Sequence, residues 1–417
     1  MDTKNMGKRY RAVNGFIFAG SFSIGVMNAG FDLEKVLEMT DDMPEKNGLF
    51  WIKNYPNIPM ILPKEWENEE YLNSLGEVDF MAFNCPCSSL SRVNQHPSVD
   101  GPNNKHFYRV LNIIKHVKPK TFVIENAPTL IQLGFPILKD IINELNPYYR
   151  FTVIRDKAGN HGVAMERTRT MIAGWRRDHF DTAFLVNQDK KKVTVRDILG
   201  DILDDPTDDY TPFDIVHVRP LYKYSKVGKT LLTSICEWWI AGEKPDATPE
   251  EKAAAAEINK VVPTLPISNW GRIIYRIKDK ILKGKGYWDK SAKRPPLDGW
   301  FASMSEPQQY MHPTQNRHMN LREMARIMTY PDTYSFADPE NKCKCKNVRQ
   351  AIAQGVPVKF GEWIARQMKL GLDGKLDRKI DADVVFQNNV NDTYFKWSLD
   401  EFNKMTAIDH QKKGEKI

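Results

Sequence analysis

The feature that most constrains the fold is a regular alternation of short apolar runs and helical segments in the first 175 residues. The predicted strands and helices are 13–31 (a strand, a Gly/Ser turn and a helix), 33–38, 78–83, 107–119 (a helix), 121–125, 135–146 (a helix), 151–156 and 168–175. Strands that alternate with helices form a sheet covered by crossover helices. The sequence therefore predicts an α/β fold in this part of the chain.

Three of the predicted strands are followed by loops of unusual composition. These loops are FAGSFS (18–23), NCPCSS (84–89) and ENAPT (125–129). Ligands of open α/β sheets bind at the edge formed by the carboxyl ends of the strands. We therefore expect the three loops to converge on one site.

The length of 417 residues exceeds that of one typical domain. The strand–helix alternation stops near residue 190, and helical spacing resumes at 320–336. We predict a large domain at 1–190 and a smaller mixed domain at 191–345. Residues 346–417 should return to the large domain and end in a frayed tail.

Composition excludes several classes of protein. The chain is 41% hydrophobic and 27% charged, which is typical of a soluble globular protein. It has no run of eighteen apolar residues and no apolar segment near its start, so no membrane partner and no secretory signal are expected. Five cysteines at irregular spacing indicate a reducing compartment, which we take to be the cytoplasm.

The segment from Ser268 to Trp300 is rich in both basic and aromatic residues. It has nine Lys or Arg against three Asp, and its aromatic residues include Trp270, Tyr275 and Trp288. Such a mixture suits a phosphate backbone and unstacked bases, although a solvated face of a small domain would look similar. The candidate phosphate contacts are Arg272, Arg276, Lys278, Lys280, Lys283 and Lys285.

Cys87 is the first candidate for chemistry. It follows Pro86 in a turn after a predicted strand, and Cys85 lies on the other side of that proline. A thiol that is held at an exposed turn can become a nucleophile, because its pKa can fall there. The alternative is a structural cysteine in a loop.

Six segments occur in an order that resembles the DNA cytosine-C5 methyltransferase family. They are FAG (18–20), PC (86–87), ENA (125–127), GVAMERTR (162–169), RHMNLREMARIMTYPD (317–332) and IAQGVP (352–357). The resemblance covers about half of the chain and leaves out the middle, where that family carries its variable target-recognition region. It implies a Rossmann-like, AdoMet-dependent methyltransferase sheet with a smaller, mixed target-recognition domain.

The resemblance implies roles for four residues. Cys87 would add to C6 of a cytosine, and Glu125 would hydrogen-bond N3 and the exocyclic amine. Arg169 would hold the base oxygen O2, and Arg167 would position a phosphate or the catalytic loop. The target carbon is inaccessible in a stacked duplex, so the base must be flipped out. The alternatives are a strand-end glutamate that bonds loop amides, and a buried ion pair for the arginines.

The resemblance also implies S-adenosylmethionine as the methyl donor. Its predicted contacts are Phe18, Ala19, Gly20, Glu38, Met39, Pro86, Gln354 and Val356. Within this set, Glu38 would bond the ribose hydroxyls and Met39 would lie against the adenine. Asp41 and Asp42 compete with Glu38 for the acidic role, and an exposed charge is the alternative reading of Glu38.

Double-stranded DNA is the implied partner, bound in a cleft between the two lobes of a monomer. Ser88 and Ser91 are predicted DNA contacts, because they lie in the loop 88–105 that would cover the site. Cys85 is predicted to pack rather than react. No metal is predicted, because Cys343 and Cys345 lie far from any histidine pair that could complete a zinc site.

Departures from the family pattern lie mainly around the donor loops. Ser21, Phe22 and Ser23 replace glycines, and a bulky Phe22 is expected to narrow the approach to the methionine moiety. Gln354 replaces an asparagine in the last turn. Three alternatives therefore stay open: a modified sulfonium donor, nucleic-acid binding without turnover, and an RNA substrate.

Overall fold

The computed structural model divides the chain into two compact units. One unit is Val193–Ile327, and the other contains the residues before and after it. The structure describes residues 9–91, 94, 96–204, 218–265, 271–287, 289, 291–302, 310–337 and 348–417. The predictions for Trp270, Trp288, Cys343 and Cys345 lie outside the described residues.

The large unit is built on a sheet that has ten strands in its described part. These strands are β1 (Tyr10–Gly15), β2 (Phe31–Leu37), β3 (Met60–Ile61), β4 (Phe80–Asn84), β5 (Thr121–Asn126), β6 (Tyr149–Lys157), β7 (Thr168–Arg176), β10 (Val384–Asn388), β11 (Thr393–Trp397) and β12 (Glu415–Lys416). A separate two-stranded sheet pairs β8 (Ala183–Phe184) with β9 (Lys379–Ile380). The strand order of the large sheet is β12-β11-β10-β6-β7-β5-β4-β1-β2-β3.

The strands β1 to β5 are parallel to one another, and β7 runs antiparallel between β5 and β6. The strand order reverses on the two sides of β1, with β2 on one side and β4 on the other. That reversal creates a crevice at the carboxyl ends of the strands, which is the usual ligand site of a doubly wound sheet. The predicted Rossmann-like sheet is confirmed.

Helices cover both faces of the sheet. Those of the large unit are α1 (Ser21–Asn28), α2 (Gly48–Asn54), α3 (Pro63–Trp66), α4 (Glu69–Ser74), α5 (Lys105–Val117), α6 (Phe135–Leu145), α12 (Val348–Gln354), α13 (Val358–Leu372) and α14 (Leu399–Asn403). Helix α5 buries Val110, Ile113 and Ile114 in the core shared with α6, because these residues recur at helical spacing. It ends at Lys118, which takes a left-handed conformation directly before Pro119.

Helices α1 and α13 pack together at very close range. Both carry a glycine at the contact, Gly25 on α1 and Gly361 on α13, and the ring of Phe22 lies directly on Gly361. Phe22 is therefore buried between these two helices. The expectation that Phe22 narrows the donor approach is wrong, because its ring fills the space over Gly361.

The C-terminal segment completes the sheet. Strand β10 pairs with β6, and β12 pairs with β11. Ile408 is buried in the main core, and the Asn388 side chain donates to the backbone oxygen of His410 at 2.9 Å. The prediction of a frayed tail from about Thr406 is therefore wrong, because these residues are fixed by a core contact and by strand pairing.

The second unit has its own core. Its described helices are α7 (Val195–Leu199), α8 (Leu231–Gly242), α9 (Pro249–Val261), α10 (Arg272–Leu282) and α11 (Leu321–Ile327). Ile235, Ile258 and Ile277 pack together at its centre. A mixture of helices and strands was expected here. The described residues of this unit instead form helices, and their β-structure is limited to isolated bridges.

The boundary after the second unit also differs from the expected one. This unit ends at Ile327, although the sequence suggested 345. The residues that follow belong to the large unit because they are aromatic and pack there. The Tyr334 hydroxyl donates to the backbone oxygen of Ala19 at 2.7 Å, and the Phe336 ring packs at a tilt against Phe50. Among the described residues, no helix is long and apolar enough to cross a membrane.

The α1–α13 contact leads to a first prediction. A Cβ at Gly25 would lie 2.5 Å from the backbone nitrogen of Glu362 and 2.6 Å from the backbone oxygen of Val358. Gly25→Ala should therefore lower the free energy of unfolding by about 1–3 kcal/mol, since two backbones must separate. Calorimetry would measure this loss. Gly286→Ala is the matched control, because a Cβ there meets no atom within 4 Å. If the two variants had the same melting temperature, the close packing of α1 on α13 would be contradicted.

Candidate active site

The predicted loops converge at one edge of the sheet. Strands β4 and β5 are paired so that Asn84 lies opposite Glu125, and Cys87 follows three residues after Asn84. Strand β7 runs the other way, so its first residues reach the same edge as the last residues of β5. Arg169 is one of those first residues. The register of three strands therefore gathers the predicted catalytic residues.

The two cysteines of the Cys-Pro-Cys turn have opposite environments. Cys85 is 1% exposed and belongs to the main core, and burial together with the nearby Glu125 raises the pKa of its thiol. Cys87 is partly exposed. The backbone oxygen of Cys87 accepts from the nitrogens of Leu90 and Ser91, which closes the turn. Of the two thiols, only that of Cys87 is therefore accessible to a ligand.

Glu125 is buried among polar groups. It is 2% exposed, and its Oε1 lies 2.7 Å from Arg169 Nε in an ion pair that lacks hydrogen-bond alignment. Its Oε2 accepts a short hydrogen bond from Asn84 Nδ2. Burial raises the pKa of Glu125 above its usual value, although Arg169, Arg167 and Asn84 oppose the rise. A buried carboxyl group with a raised pKa can remain protonated and donate a hydrogen bond.

Arg167 and Arg169 serve different neighbours. Arg167 donates to the backbone oxygens of Ala353 at 2.9 Å and Gln354 at 3.2 Å. These two bonds hold the end of α12, which includes Gln354, against the start of β7. The turn that contains Val356 follows directly. Arg169 faces Glu125 instead. If Arg169 left Glu125 to bind a ligand, the turn held by Arg167 would stay in place. If Arg167 bound a ligand instead, its bonds to that turn would be lost.

The loop after Cys87 is held by its own polar side chains. Asn103 Nδ2 donates to Ser88 Oγ at 2.5 Å, and Asn94 Nδ2 donates to the backbone oxygen of Ser88 at 3.1 Å. The Ser88 side chain is exposed, and Ser91 is half-buried. The main hydrogen bonds of Ser88 are therefore within its own loop.

The first loop, between β1 and α1, has an unusual backbone. Phe16, Phe18 and Gly20 all have positive φ angles, of 60°, 51° and 83°. Glu38 holds this loop, since its Oε1 accepts from the Ile17 nitrogen at 3.1 Å and its Oε2 accepts from the Met39 nitrogen at 3.1 Å. Ala19 is buried below the loop, and Phe18 is partly exposed.

Glu38 is 0% exposed, and burial raises its pKa to about 8. Its carboxyl group connects the loops that follow β1 and β2, because Ile17 and Met39 lie in those loops.

A surface pocket of about 390 Å³ opens beside Glu38, at the carboxyl ends of β2 and β3. Its lining residues are Met39, Thr40, Asp41, Pro63, Glu67, Lys105 and Arg109. The Glu67 carboxylate forms an ion pair with Arg109, with 2.6 Å between Glu67 Oε1 and Arg109 Nη2. Asp41 accepts one hydrogen bond from the Lys64 nitrogen at 3.2 Å. Met39 therefore lines a pocket, and Asp41 adds a carboxylate to it.

The turn after α12 closes the other side of the first loop. Asn47 Nδ2 donates to Gln354 Oε1 at 2.6 Å, and Val356 is fully buried. A Cβ at Gly355 would overlap the Ser21 hydroxyl and come within 4.0 Å of Asn84 Oδ1. Only glycine fits at this position, because the turn lies directly on the first loop and on the end of β4. Pro86 is half-buried in the neighbouring turn.

Sequence reasoning missed two polar residues of this site, Asn84 and Asn47. Each bonds a residue that was predicted, Glu125 and Gln354 respectively. The signal for Asn84 was its place directly before the Cys-Pro-Cys turn, at a strand end level with Glu125. Nothing in the sequence pattern indicates Asn47, because it contacts a residue more than three hundred positions away.

The predicted DNA contacts on α10 do not form a uniform group. Arg272 and Arg276 are exposed, on the face opposite the buried Ile274 and Ile277. Lys278 instead lies over the Trp239 ring and pairs with Glu243 at 2.7 Å. Lys283 pairs with Asp279 at 2.7 Å. No ion pair to Arg272 or Arg276 is found among the described residues.

A buried histidine supports the segment that carries both arginines. His161 stacks on Trp363, and its Nε2 lies 3.0 Å from Asp156 Oδ2. Its Nδ1 lies 3.5 Å from Asp189 Oδ2. Burial disfavours the imidazolium, but the two carboxylates outweigh that effect and raise the pKa of His161. The His161 ring therefore joins the start of the arginine segment to α13, and its raised pKa favours the protonated form.

The fold and the site define a methyltransferase with a thiol, a carboxyl group and an arginine at one sheet edge. A profile of the family described as C-5 cytosine-specific DNA methylase matches residues 13–370. The chain therefore belongs to the C-5 cytosine-specific DNA methylases, enzymes that take their methyl group from S-adenosylmethionine.

Individual relatives are distant. The Type II methyltransferase M.FnuDI of Fusobacterium nucleatum is 24% identical over 373 residues, which are 86% of this chain and 94% of that protein. M.MthTI of Methanothermobacter thermautotrophicus is 24% identical over 304 residues, covering 70% of this chain and 78% of that protein. A solved structure assigned as a DNA modification methyltransferase of an E. coli prophage shares the fold, with a TM-score of 0.56 and 18% identity. It covers 87% of this chain and 99% of its own.

The charged state of His161 leads to a second prediction. Because folding raises its pKa, its contribution to stability is complete below about pH 6.5 and is lost as the pH rises through the folded value. His161→Gln should therefore cost about 1–3 kcal/mol of unfolding free energy at pH 6 and less at pH 9. Melting curves across this range would measure the difference. Asp189→Asn should weaken the same pH dependence. If His161→Gln lowered the free energy of unfolding by the same amount at every pH, the conclusion that His161 is charged would be wrong.

Proposed function

We propose that the chain methylates C5 of a cytosine flipped out of duplex DNA, through a covalent bond between Cys87 and the base. The observation that supports this most directly is the cluster of Arg169, Glu125 and Asn84 at the sheet edge that also carries Cys87. A nucleophile, a buried carboxyl group and a mobile cation are the groups that this reaction needs.

In the proposed reaction the Cys87 thiolate adds at C6 of the cytosine, and an electron pair moves towards C5. Glu125, in its protonated form, donates to N3 and stabilises that shift of charge. Arg169 leaves Glu125 and bonds the base oxygen O2. After methyl transfer, water or hydroxide takes the C5 proton, the electron pair forms the C5–C6 double bond again, and the C6–S bond breaks to release the Cys87 thiolate. The raised pKa of Glu125 supports this role, since it favours the protonated form.

The residues around the first loop fit a nucleoside-containing donor. The pocket beside Met39 has a volume of about 390 Å³, which lies in the range of small-molecule sites, and Asp41 supplies a carboxylate that could accept from an amino group. Phe18, Ala19, Gly20, Pro86, Gln354 and Val356 are proposed to hold the rest of the molecule. S-adenosylmethionine supplies the methyl group as an electrophilic sulfonium. Because Phe22 packs on Gly361, its bulk gives no reason to propose an altered donor.

We assign DNA contact in the second unit to the exposed face of α10. Arg272 and Arg276 are four residues apart on one face, so their charges repel each other unless an anion lies across them. A phosphate backbone is such an anion. Lys283 extends this face, because its pair with Asp279 is exposed, whereas the Lys278 side chain is largely covered and held by Glu243 and Trp239, so it contributes less. Ser88 and Ser91 are proposed to contact DNA from the Cys87 loop.

Since several relatives are Type II methyltransferases, a role in restriction-modification is proposed too.

The test of the reaction is nucleoside analysis of plasmid DNA from cells that express the chain. Unaltered protein should yield 5-methylcytosine, and Cys87→Ser should yield none, because a hydroxyl adds to C6 far less readily than a thiolate. Purified Cys87→Ser should still bind duplex DNA. Cys85→Ser is the matched control, since Cys85 packs in the core. Equal methylation by Cys87→Ser would exclude Cys87 as the nucleophile, and no modified cytosine with unaltered protein would contradict the function.

The α10 assignment predicts how salt affects DNA binding. Each phosphate contact contributes about one unit to the slope of log affinity against log salt, so Arg272→Ala with Arg276→Ala should reduce that slope by about two. Fluorescence anisotropy at several salt concentrations would measure it. Lys252→Ala removes an exposed cation from α9 and should leave the slope unchanged. The assignment to α10 is wrong if both variants show the unaltered slope.

A further inference from the structure

Asn84 is a buried polar side chain at the sheet edge that bonds Glu125 directly, and the proposed reaction leaves it without a role. It is 4% exposed and is the last residue of β4, level with Glu125 on β5. Its Nδ2 donates to Glu125 Oε2. Its Oδ1 is also buried and accepts no hydrogen bond from the described residues. Among those residues, the polar contact of the Asn84 side chain is therefore Glu125.

An amide suits this position because it can bond both forms of a carboxyl group. Its N–H₂ donates to a carboxylate, and after a half-turn its oxygen can accept from the protonated form. A buried polar atom that lacks a partner is costly, and Asn84 Oδ1 is such an atom among the described residues. Arg169 holds the other carboxyl oxygen, Oε1, from the opposite strand.

We infer that Asn84 is a positioning residue: it fixes Oε2 of Glu125, so that the carboxyl group stays aligned with a flipped base when Arg169 turns to that base. This inference rests on the proposed function. Without Asn84, the departure of Arg169 would leave Glu125 free to rotate about its side-chain bonds. With Asn84, one oxygen stays anchored to β4 while the other meets the substrate.

The charged and titratable groups that face Glu125 come from two directions. Arg169 and Arg167 approach from β7, and the Cys85 thiol approaches from the turn after β4. Asn84 favours the ionised form of Glu125, because it donates a hydrogen bond to the carboxylate. Its removal should therefore move the titration of Glu125 to higher pH while the other neighbours stay in place.

The first readout is the pH profile of methyl transfer. Asn84→Leu keeps the branching and the number of side-chain heavy atoms but cannot bond Glu125, so kcat should fall about 10- to 100-fold. The KM for DNA and the dissociation constant for S-adenosylhomocysteine should stay within about threefold, since neither ligand is held by Asn84. Because Glu125 works in its protonated form, the alkaline limb of the profile should also shift to higher pH.

The second readout does not need activity. Folding raises the pKa of Glu125, so its ionisation costs stability as the pH rises above the ordinary carboxyl range. Asn84→Leu should enlarge that cost, and its loss in melting temperature should be larger at pH 8 than at pH 5. Asn14 is the matched control, because it is a buried asparagine on β1 that bonds Ser23 and the Ala82 nitrogen. Asn14→Leu should lower the melting temperature equally at both pH values.

The two variants, Asn84→Leu and Asn14→Leu, decide whether Asn84 positions Glu125. A wild-type kcat and pH profile in Asn84→Leu would overturn it, and so would an equal fall of kcat in Asn14→Leu. If Asn84→Leu does not fold, Asn84→Ala gives the same test, since it removes atoms and adds no clash. If the unaltered chain transfers no methyl group, the proposed function fails, and the pH dependence of melting still decides whether Asn84 acts on Glu125.

Discussion

The site depends on the burial of one carboxyl group, that of Glu125. In water this group would be ionised and freely rotating, whereas between Arg169 and Asn84 it is dry, fixed and shifted towards its protonated form. Both partners reach it because β4, β5 and β7 are neighbours in the sheet. The antiparallel course of β7 is essential here, since it brings the first residues of that strand to the edge where β5 ends.

The C-terminal part of the chain completes this edge from a long distance in sequence. Helix α13 packs on α1, and the turn before it receives two hydrogen bonds from Arg167. Its Gly355 lies against the first loop, and Tyr334 bonds Ala19 in that loop. A donor held by the first loop would therefore contact groups from both ends of the sequence. This arrangement explains why the family profile extends to residue 370.

Much of this edge could be predicted, because loops at the carboxyl ends of parallel strands must meet. The positions of Cys87, Glu125 and Arg169 follow from that rule together with the resemblance. The orientation of Phe22 could not be predicted, since it depends on Gly361 in a helix far along the chain. The partners of Arg167 and Arg169 could not be predicted either, because a two-residue spacing on a strand fixes their common face and not the groups they contact.

The sequence by itself determined the alternation of strands and helices, the order of the loops and the chemical groups they carry, because these are local properties of the chain. Tertiary structure alone decided that Glu38 is buried, that Lys278 is held by Glu243 and that the last residues form a strand. It also paired Asn84 with Glu125. Burial and pairing depend on which distant segments come into contact, and a linear pattern carries little information about such contacts.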